Sequence, residues 1–401
     1  MINIIDLFAG CGGLSEGFLK SEEYNTLSAI EWEKYPLETL RKRMLLHGYN
    51  DVIDRCIRFD IQKTEDLFDG FYDMKYGKHP GLAKILNNTQ VDMIVGGPPC
   101  QSYSIAGRVG VKDKSIHDYR NFLFESYINV VKRTKPKFIL FENVVGLASA
   151  EVNGVKIYDL IVKSFNEAGY HIPKICNDCI FDMSYYKIPQ ARKRVILFGV
   201  RKDIKHSGKL ISSFYKKLND SRSSSVCNIG HCLDDLPKLT PLSQTVKKIS
   251  HSIAGKSNNI FSCHYPRFHN SQDIKIFKLL AKDIENKEFK YVSSKALVNL
   301  YNKLKSKNSK FHKYHVLRRD KPSNTIPAHL YKDGLRHIHP DSSQARTITV
   351  REAARLQSFP DNYEFVGSMG AKYKMIGNAV PPKFSELLAS IIIDLQKEIQ
   401  K

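Results

Sequence analysis

Short apolar runs alternate with amphipathic stretches through the first half of the chain. Ile2 to Phe8 is a largely hydrophobic run that ends in the turn Gly10-Cys11-Gly12-Gly13, and a helix is expected to follow through Glu16 to Lys20. Thr26 to Glu31 predicts a second strand, ending in an acid. Val91 to Val95 predicts a third that runs into Gly96-Gly97-Pro98-Pro99, Phe138 to Phe141 a fourth, and Val195 to Val200 one more. Helical spacing fills 121–132 and 155–168 between them. Short apolar strands spaced by helices indicate an α/β fold with a mostly parallel sheet and helices on both faces.

The pattern changes near residue 200. The stretch 201–270 is rich in Ser, Asn, Gly and Pro and predicts loops. Ile274, Phe277, Leu280 and Ile284 repeat at helical spacing over 273–287, and Ala296, Leu297, Leu300 and Leu304 over 294–305. Near the C-terminus, Phe384, Leu387, Leu388, Ile391, Ile392 and Leu395 form one apolar stripe. Such a stripe needs a partner, most simply the sheet of the first 200 residues. The expected organisation is a body over 1–200, a second domain over 201–340, and a segment 341–401 that returns to the body.

Charge sharpens that division. The chain has 401 residues, 42% hydrophobic and 26% charged, which excludes a disordered, collagenous or disulfide-stapled protein. Its formal net charge is +21, and residues 201–340 carry 28 basic against 10 acidic side chains with 10 of the 14 histidines. A polyanion is the expected partner of that region; the plainer alternative is a lysine-rich face kept for solubility. Eight cysteines, no signal-like opening and no run of 18 apolar residues suggest a cytoplasmic protein with reduced thiols.

The candidate chemistry sits at the predicted strand ends, where ligands bind in open α/β sheets. Glycines after the first strand let the backbone turn tightly against a ligand, and Glu31 could accept from ribose hydroxyls. Trp32, the only tryptophan, could lie on an adenine face or be plain packing; Asp60 could meet an adenine amino group or cap a helix. The dinucleotide fingerprint fails, because Ser15 stands where a third glycine is wanted. Pro98 and Pro99 stiffen the backbone before Cys100 and hold it at the ligand edge. A thiol with a free pKa of about 8.5 needs help to become a nucleophile. Arg192 and Arg194 are candidate helpers, and Gln190, Arg192 and Arg194 would share one face of an extended strand. Glu142 closes the fourth strand as a candidate acid. Residues 102–118 have the composition of a mobile loop that closes over a substrate. Cys176-x-x-Cys179 has zinc-ligand spacing, but Cys227, His231 and Cys232 lie far along the chain with no tidy spacing to it, so no metal is expected.

Several of these segments occur in a familiar order: Asp6-Leu7-Phe8-Ala9-Gly10-Cys11-Gly12-Gly13, Gly97-Pro98-Pro99-Cys100-Gln101-Ser102, Glu142-Asn143-Val144, and Gln190-Ala191-Arg192-Lys193-Arg194. Near the end come Arg346-Thr347-Ile348-Thr349-Val350-Arg351-Glu352, Arg355-Leu356-Gln357-Ser358-Phe359-Pro360, and Gly377-Asn378-Ala379-Val380-Pro381-Pro382. In this the chain resembles the cytosine-5 DNA methyltransferases of bacterial restriction–modification systems, over about 1–200 and 340–401. The resemblance implies a Rossmann-like, S-adenosylmethionine-dependent fold, with a target-recognition domain at 201–340. It implies that Phe8, Ala9, Gly10, Cys11, Gly12 and Gly13 line the cofactor site. Glu31 would then hold the ribose, Trp32 the adenine, and Asp60 with Ile61 the adenine amino group, while Pro98, Asn378 and Val380 complete the pocket. Cys100 becomes the nucleophile, Glu142 the partner of the cytosine ring nitrogen, and Arg192 and Arg194 further contacts to a cytosine flipped from the duplex. Gln101, Ser102 and Arg108 would touch DNA.

Within the basic region, Lys303, Lys305, Lys307 and Lys310 are the expected phosphate contacts, and Arg318 and Arg319 the expected readers of a guanine edge. The expected partners are double-stranded DNA and a separately acting restriction endonuclease, with a monomeric enzyme on the nucleoid. A transfer-RNA cytosine-5 methyltransferase would use the same catalytic set. A nicotinamide-dependent dehydrogenase would explain the glycine turn and Glu31 but not Cys100 or Glu142, and a simple DNA-binding protein would explain neither.

Overall fold

The computed structural model of the chain describes residues 1–99, 123–152, 154–174, 177–230, 232–246, 248–253, 261–305, 308–311, 313–332 and 334–399. These fall into two compact units. The first comprises Met1–Tyr186, Lys193–Ser224 and Ala379–Lys401, and the second Lys187–Arg192 and Ser225–Asn378.

Among the described residues the first unit holds a sheet of eight strands: β1 (Ile2–Leu7), β2 (Tyr24–Glu31), β3 (Cys56–Arg58), β4 (Met93–Gly96), β5 (Phe138–Val144), β6 (Tyr170–His171), β7 (Ile180–Asp182) and β8 (Lys193–Arg201). Their order is β6-β8-β5-β4-β1-β2-β3, with β7 also paired to β8. β1 to β5 run parallel to one another, whereas β8 is antiparallel to β5, β6 and β7. The parallel strands are apolar runs because helices cover both faces: Ile4, Ile5, Ile94, Val95, Ile139 and Leu140 have no exposed surface. The carboxyl ends of β1, β2, β3, β4 and β5 share one edge. The antiparallel β8 brings its start to that same edge, with Arg194 opposite Val144.

The C-terminal stripe does return to this unit. Helix Pro382–Ile399 packs on helix Ser15–Leu19 so closely that a Cβ on Gly17 would collide with the backbone at Ser385, and the Ser385 hydroxyl donates to the Leu14 carbonyl. Part of the stretch expected to be loops also belongs here. Ser207–Asp220 is a helix whose Leu210, Phe214 and Leu218 make a buried stripe. Phe214 stacks on Phe198 of β8 at 4.2 Å, and the Tyr215 hydroxyl bonds the β8 backbone at Ile196 and Phe198. The serines and lysines between those apolar positions hid the helical period.

In the second unit, a hairpin (Leu239–Val246 with Ile249–Ile253) again replaces an expected loop. Helices Ser271–Glu285 and Ser294–Lys305 form where helical spacing predicts them, and share a core of Phe277, Leu280, Leu297, Leu300 and Tyr314. Residues 341–378 lie in this unit rather than with the body. The buried Arg346 forms two bonds to Glu352, at 2.6 and 2.7 Å, and Thr349 with Glu352 makes a capping box for helix Val350–Leu356. No helix among the described residues is long and apolar enough to cross a membrane.

Candidate active site

The turn after β1 places Phe8, Gly10 and Gly12 at φ of +59°, +58° and +87°. Glycine takes that conformation without cost; a left-handed phenylalanine stores roughly 1–2 kcal/mol of strain. What holds the turn is Glu31, at the end of the neighbouring β2. Its Oε2 accepts from the Gly10 N–H at 2.8 Å and its Oε1 from the Glu33 N–H at 2.7 Å. Burial pushes the Glu31 carboxyl up, and those backbone donors pull it back. Gly13 has no room for a side chain, because a Cβ there would lie 2.8 Å from that of Ala379 and closer still to the Val380 carbonyl oxygen. Around Gly10 the space that a Cβ would enter is open. Trp32 exposes 61% of its surface, and its carbonyl accepts from Arg58 of β3 at 3.2 Å. Asp60 accepts from the Gln62 N–H at 3.1 Å in a local turn, and Ile61 is buried beside it. Asn378 is the exposed last residue of the second unit, whereas Val380 is buried in the first.

Cys11, inside the turn, is a buried thiol pushed up to about 12, which makes it an inert packing group rather than a nucleophile. Sequence reasoning missed Asp6. It is buried in β1, accepts from the Ser15 hydroxyl at 2.5 Å, and is raised to about 7 by burial. Its signal was an acid inside an otherwise apolar strand.

A second cluster stands at the ends of β4, β5 and β8. Arg194 Nε lies 2.9 Å from Glu142 Oε1, and both side chains are nearly buried. Burial lowers the Arg194 pKa, and the Glu142 carboxylate opposes that shift. Gly97 lies beneath this pair: a Cβ there would sit 2.7 Å from Glu142 Oε2. Asn143, the other missed residue, donates to the Pro98 carbonyl at 3.1 Å and fixes the start of the proline turn on β5. Cys100, Gln101, Ser102 and Arg108 lie outside the described residues.

Arg192 does not share a face with Arg194. Gln190–Ala191 pairs with Ser323–Asn324 in a separate small sheet of the second unit, Arg192 is a break in the strand, and β8 begins at Lys193. Arg192 is fully buried, with its guanidinium on the carbonyls of Ile326 (3.3 Å) and Gly377 (3.0 Å). Alternation assumed one continuous strand, and the chain changes units in the middle of it. Of the expected DNA contacts, Lys303 and Lys310 are exposed, Lys305 ends its helix, and Lys307 lies outside the described residues. Arg318 is held by both oxygens of Asp320, at 3.0 and 2.6 Å, and Arg319 by Asp234 and the Gly230 carbonyl. The Arg318 fork is filled, whereas the Arg319 bonds to Asp234 and Gly230 both fall on Nη1.

A sheet of this order is that of a Rossmann-like methyltransferase, with the glycine turn, its acid and an exposed indole at the carboxyl edge. The chain belongs to the C-5 cytosine-specific DNA methylase family, whose model matches residues 2–394. It is 31% identical to the type II methyltransferase M.Bpa9945I of Bacillus paralicheniformis, over 98% of each chain. It is 30% identical to M.DdeI of Desulfomicrobium norvegicum, over 98% of this chain and 88% of that one. Among solved structures, it resembles a protein described as a DNA modification methyltransferase encoded within an E. coli prophage, with TM-score 0.59 and 22% identity over 99% of this chain and 100% of that one.

Proposed function

We propose that this protein methylates carbon-5 of a cytosine in a specific sequence of double-stranded DNA, with the base turned out of the duplex and bonded to Cys100 during the transfer. The observation that carries the reading is the Glu142–Arg194 pair, which meets at 2.9 Å on the sheet edge where the Gly97-Pro98-Pro99 turn leads to Cys100. The residues of the glycine turn fit the cofactor: open space at Gly10, the pinned carboxylate of Glu31 and the exposed face of Trp32 suit a backbone-lined ribose and adenine site. When bound, S-adenosylmethionine supplies the electrophilic methyl that carbon-5 takes up.

The chain's own residues do the rest. Carbon-5 is a poor nucleophile until the Cys100 thiolate adds to carbon-6 and pushes electron density across the ring. Glu142, oriented by Arg194, shares a proton with the ring nitrogen and so offsets the negative charge that develops there as the thiolate adds. After methylation a water molecule takes the carbon-5 proton, the freed electron pair re-forms the carbon-5–carbon-6 double bond, and the sulfur–carbon-6 bond breaks to return the thiolate to Cys100. The basic second unit, in this reading, reads the target duplex. In this reading the enzyme works in a restriction–modification setting beside a separately acting endonuclease, as a monomer on the nucleoid.

The test is a labelled-methyl assay on duplex DNA with wild type and Cys100→Ala, together with a duplex carrying 5-fluorocytosine at the target. Wild type is expected to transfer methyl and to become trapped on the fluorinated duplex, because the proton that must leave is absent. Cys100→Ala is expected to bind DNA and do neither. Transfer by Cys100→Ala near the wild-type rate overturns the covalent route, and label entering transfer RNA instead of DNA overturns the substrate.

A further inference from the structure

Arg192 sits at a peculiar place in the chain. It is the last residue of a six-residue excursion, Lys187–Arg192, that belongs to the second unit; the next residue begins β8 of the first. The excursion is firmly held. The Gln190 carboxamide accepts from Ile326 N–H at 3.0 Å and donates to the Leu356 carbonyl at 3.2 Å, and Thr325 Oγ1 donates to the Ala191 carbonyl at 2.6 Å. Arg192 then places one end of its guanidinium on Ile326 and the other on Gly377. Gly377 is itself packed without slack, since a Cβ there would fall within 2.5 Å of the Pro327 backbone and 2.6 Å of Ala328.

Gly377 also stands at a crossing. The chain leaves the second unit between Asn378 and Ala379. One guanidinium therefore joins, inside the second unit, two lengths of chain that both lead out of it. Two residues past Arg192 is Arg194, which holds Glu142. Three residues past Gly377 is Val380, whose carbonyl closes on Gly13 of the cofactor turn. A buried charge is costly unless it is well paired, and a planar fork on two carbonyls fixes their spacing in a way that a flexible side chain cannot.

Resting on the proposed methyl transfer, we infer that Arg192 is a positioning residue that ties the catalytic pair and the cofactor turn to one anchor. It touches neither substrate nor cofactor. It sets where Arg194 starts along β8 and where Val380 meets the turn, so that both respond together when the anchor is loosened.

The experiment is a double-mutant cycle on the full-length enzyme. Arg192→Gln, Arg194→Gln and the double variant are compared for S-adenosylhomocysteine affinity by calorimetry and for single-turnover methyl transfer at saturating cofactor and duplex, with thermal midpoint as a control. Arg192→Gln is expected to lose about tenfold in both affinity and rate. In the Arg194→Gln background its affinity loss should persist and its rate loss should vanish, because the anchor acts on rate through Arg194. Arg192→Lys should recover part of both, since an ammonium can hold one carbonyl. The exposed Thr325→Val, which loosens the same excursion without a buried charge, should give a smaller change in the same direction if Arg192→Gln does not fold. The proposal is overturned if the rate losses multiply in the double variant, if affinity stays within about twofold, or if only the thermal midpoint falls. A wild-type enzyme that binds S-adenosylhomocysteine but transfers no methyl to cytosine would overturn the proposed function instead, and the affinity arm would still report on the anchor.

Discussion

Arg194 reaches Glu142 on the diagonal: its Cα partner across β5 and β8 is Val144, yet its Nε lies 2.9 Å from the Glu142 carboxylate two residues back. Same-face residues two apart on neighbouring strands are within reach of a long side chain, and the pairing register makes this reach the natural one. The pair is nearly buried, so its attraction is little screened by water. Replacing Glu142 by Gln keeps the shape and removes the charge. It is expected to slow single-turnover methyl transfer by about 10²- to 10³-fold, the usual loss on removing one aligned electrostatic group. Loss of less than about tenfold at saturating cofactor would mean that Glu142 is not the group facing the ring.

Gly10 and Gly13 separate two demands on the same turn. At Gly10, alanine meets no atom within 4 Å but must adopt φ +58°, so Gly10→Ala should cost about 1 kcal/mol of stability from backbone strain. Its methyl would project into open space, which in the proposed function is the cofactor's, and S-adenosylhomocysteine affinity should then fall. At Gly13, the added Cβ meets Ala379 and the Val380 backbone, which must shift. Gly13→Ala is therefore expected to cost roughly 1–3 kcal/mol and to lower the thermal midpoint more than Gly10→Ala does. Thermal unfolding alongside a calorimetric titration checks both; an unchanged midpoint in Gly13→Ala would contradict the packing.

The strands that carry the site were legible because buried parallel strands are plain apolar runs. The ends of β1, β2 and β5, and with them Gly10, Glu31 and Glu142, could be placed from sequence, and so could the returning helix with its stripe from Phe384 to Leu395. What could not be read depends on where the chain changes partners. Alternation at Gln190, Arg192 and Arg194 looks like one strand, but hydrogen bonds to Ile326 and Gly377 draw Arg192 into the other unit, and no local pattern reports a partner 134 or 185 residues away. The same holds for Arg319, whose acid, Asp234, lies 85 residues earlier. Helix Ser207–Asp220 was missed for the opposite reason, since its stripe is local but sparse among polar residues.

The two units should answer acid differently. In the second, burial lowers His269 and His337 to about 3 and His339 to about 4, and it lowers His251 and His264 as well. These rings fold neutral and would be protonated more readily in the unfolded chain. The second unit therefore keeps its full stability above about pH 6.5 and loses up to about 1.4 kcal/mol per pH unit per histidine below it. In the first, Asp6 is raised to about 7, so folding favours its protonated form. Its contribution is present below the unfolded carboxyl value and is lost as pH rises toward 7. Hydrogen exchange resolved by peptide between pH 7.5 and 5 should show protection falling over residues 261–350 and not over β1 and β2. Substituting His269 by Gln should flatten the fall. Equal loss in both units would sink this account.

Binding to DNA should separate the lysines of the second unit from its arginines. Lys303 and Lys310 are exposed, and each phosphate they neutralise contributes roughly −0.9 to the slope of log K against log salt. Lys303→Ala and Lys310→Ala should each lower that slope by about one unit and weaken target and scrambled duplexes alike, since phosphate contacts carry no base information. Arg318 and Arg319 start from another condition. The fork of Arg318 is filled by both oxygens of Asp320, its guanidinium lies 4.9 Å from the Phe289 ring centre, and Arg319 bridges Asp234 and the Gly230 carbonyl. Arg318 could read a guanine edge with that fork only after Asp320 was displaced, and an arginine already paired adds little net charge to attract a phosphate. Arg319→Ala should thus cost about 1 kcal/mol of stability, from a half-exposed ion pair and a carbonyl contact, and leave target preference within about twofold. Binding to matched and scrambled duplexes at several salt concentrations, beside thermal unfolding of each variant, decides the matter. If Arg319→Ala lowers target preference by tenfold or more, the worth of a bidentate base contact at about 1–3 kcal/mol, the arginine reads a base when DNA binds. If neither lysine variant changes the slope, the phosphate-binding face lies elsewhere in the unit.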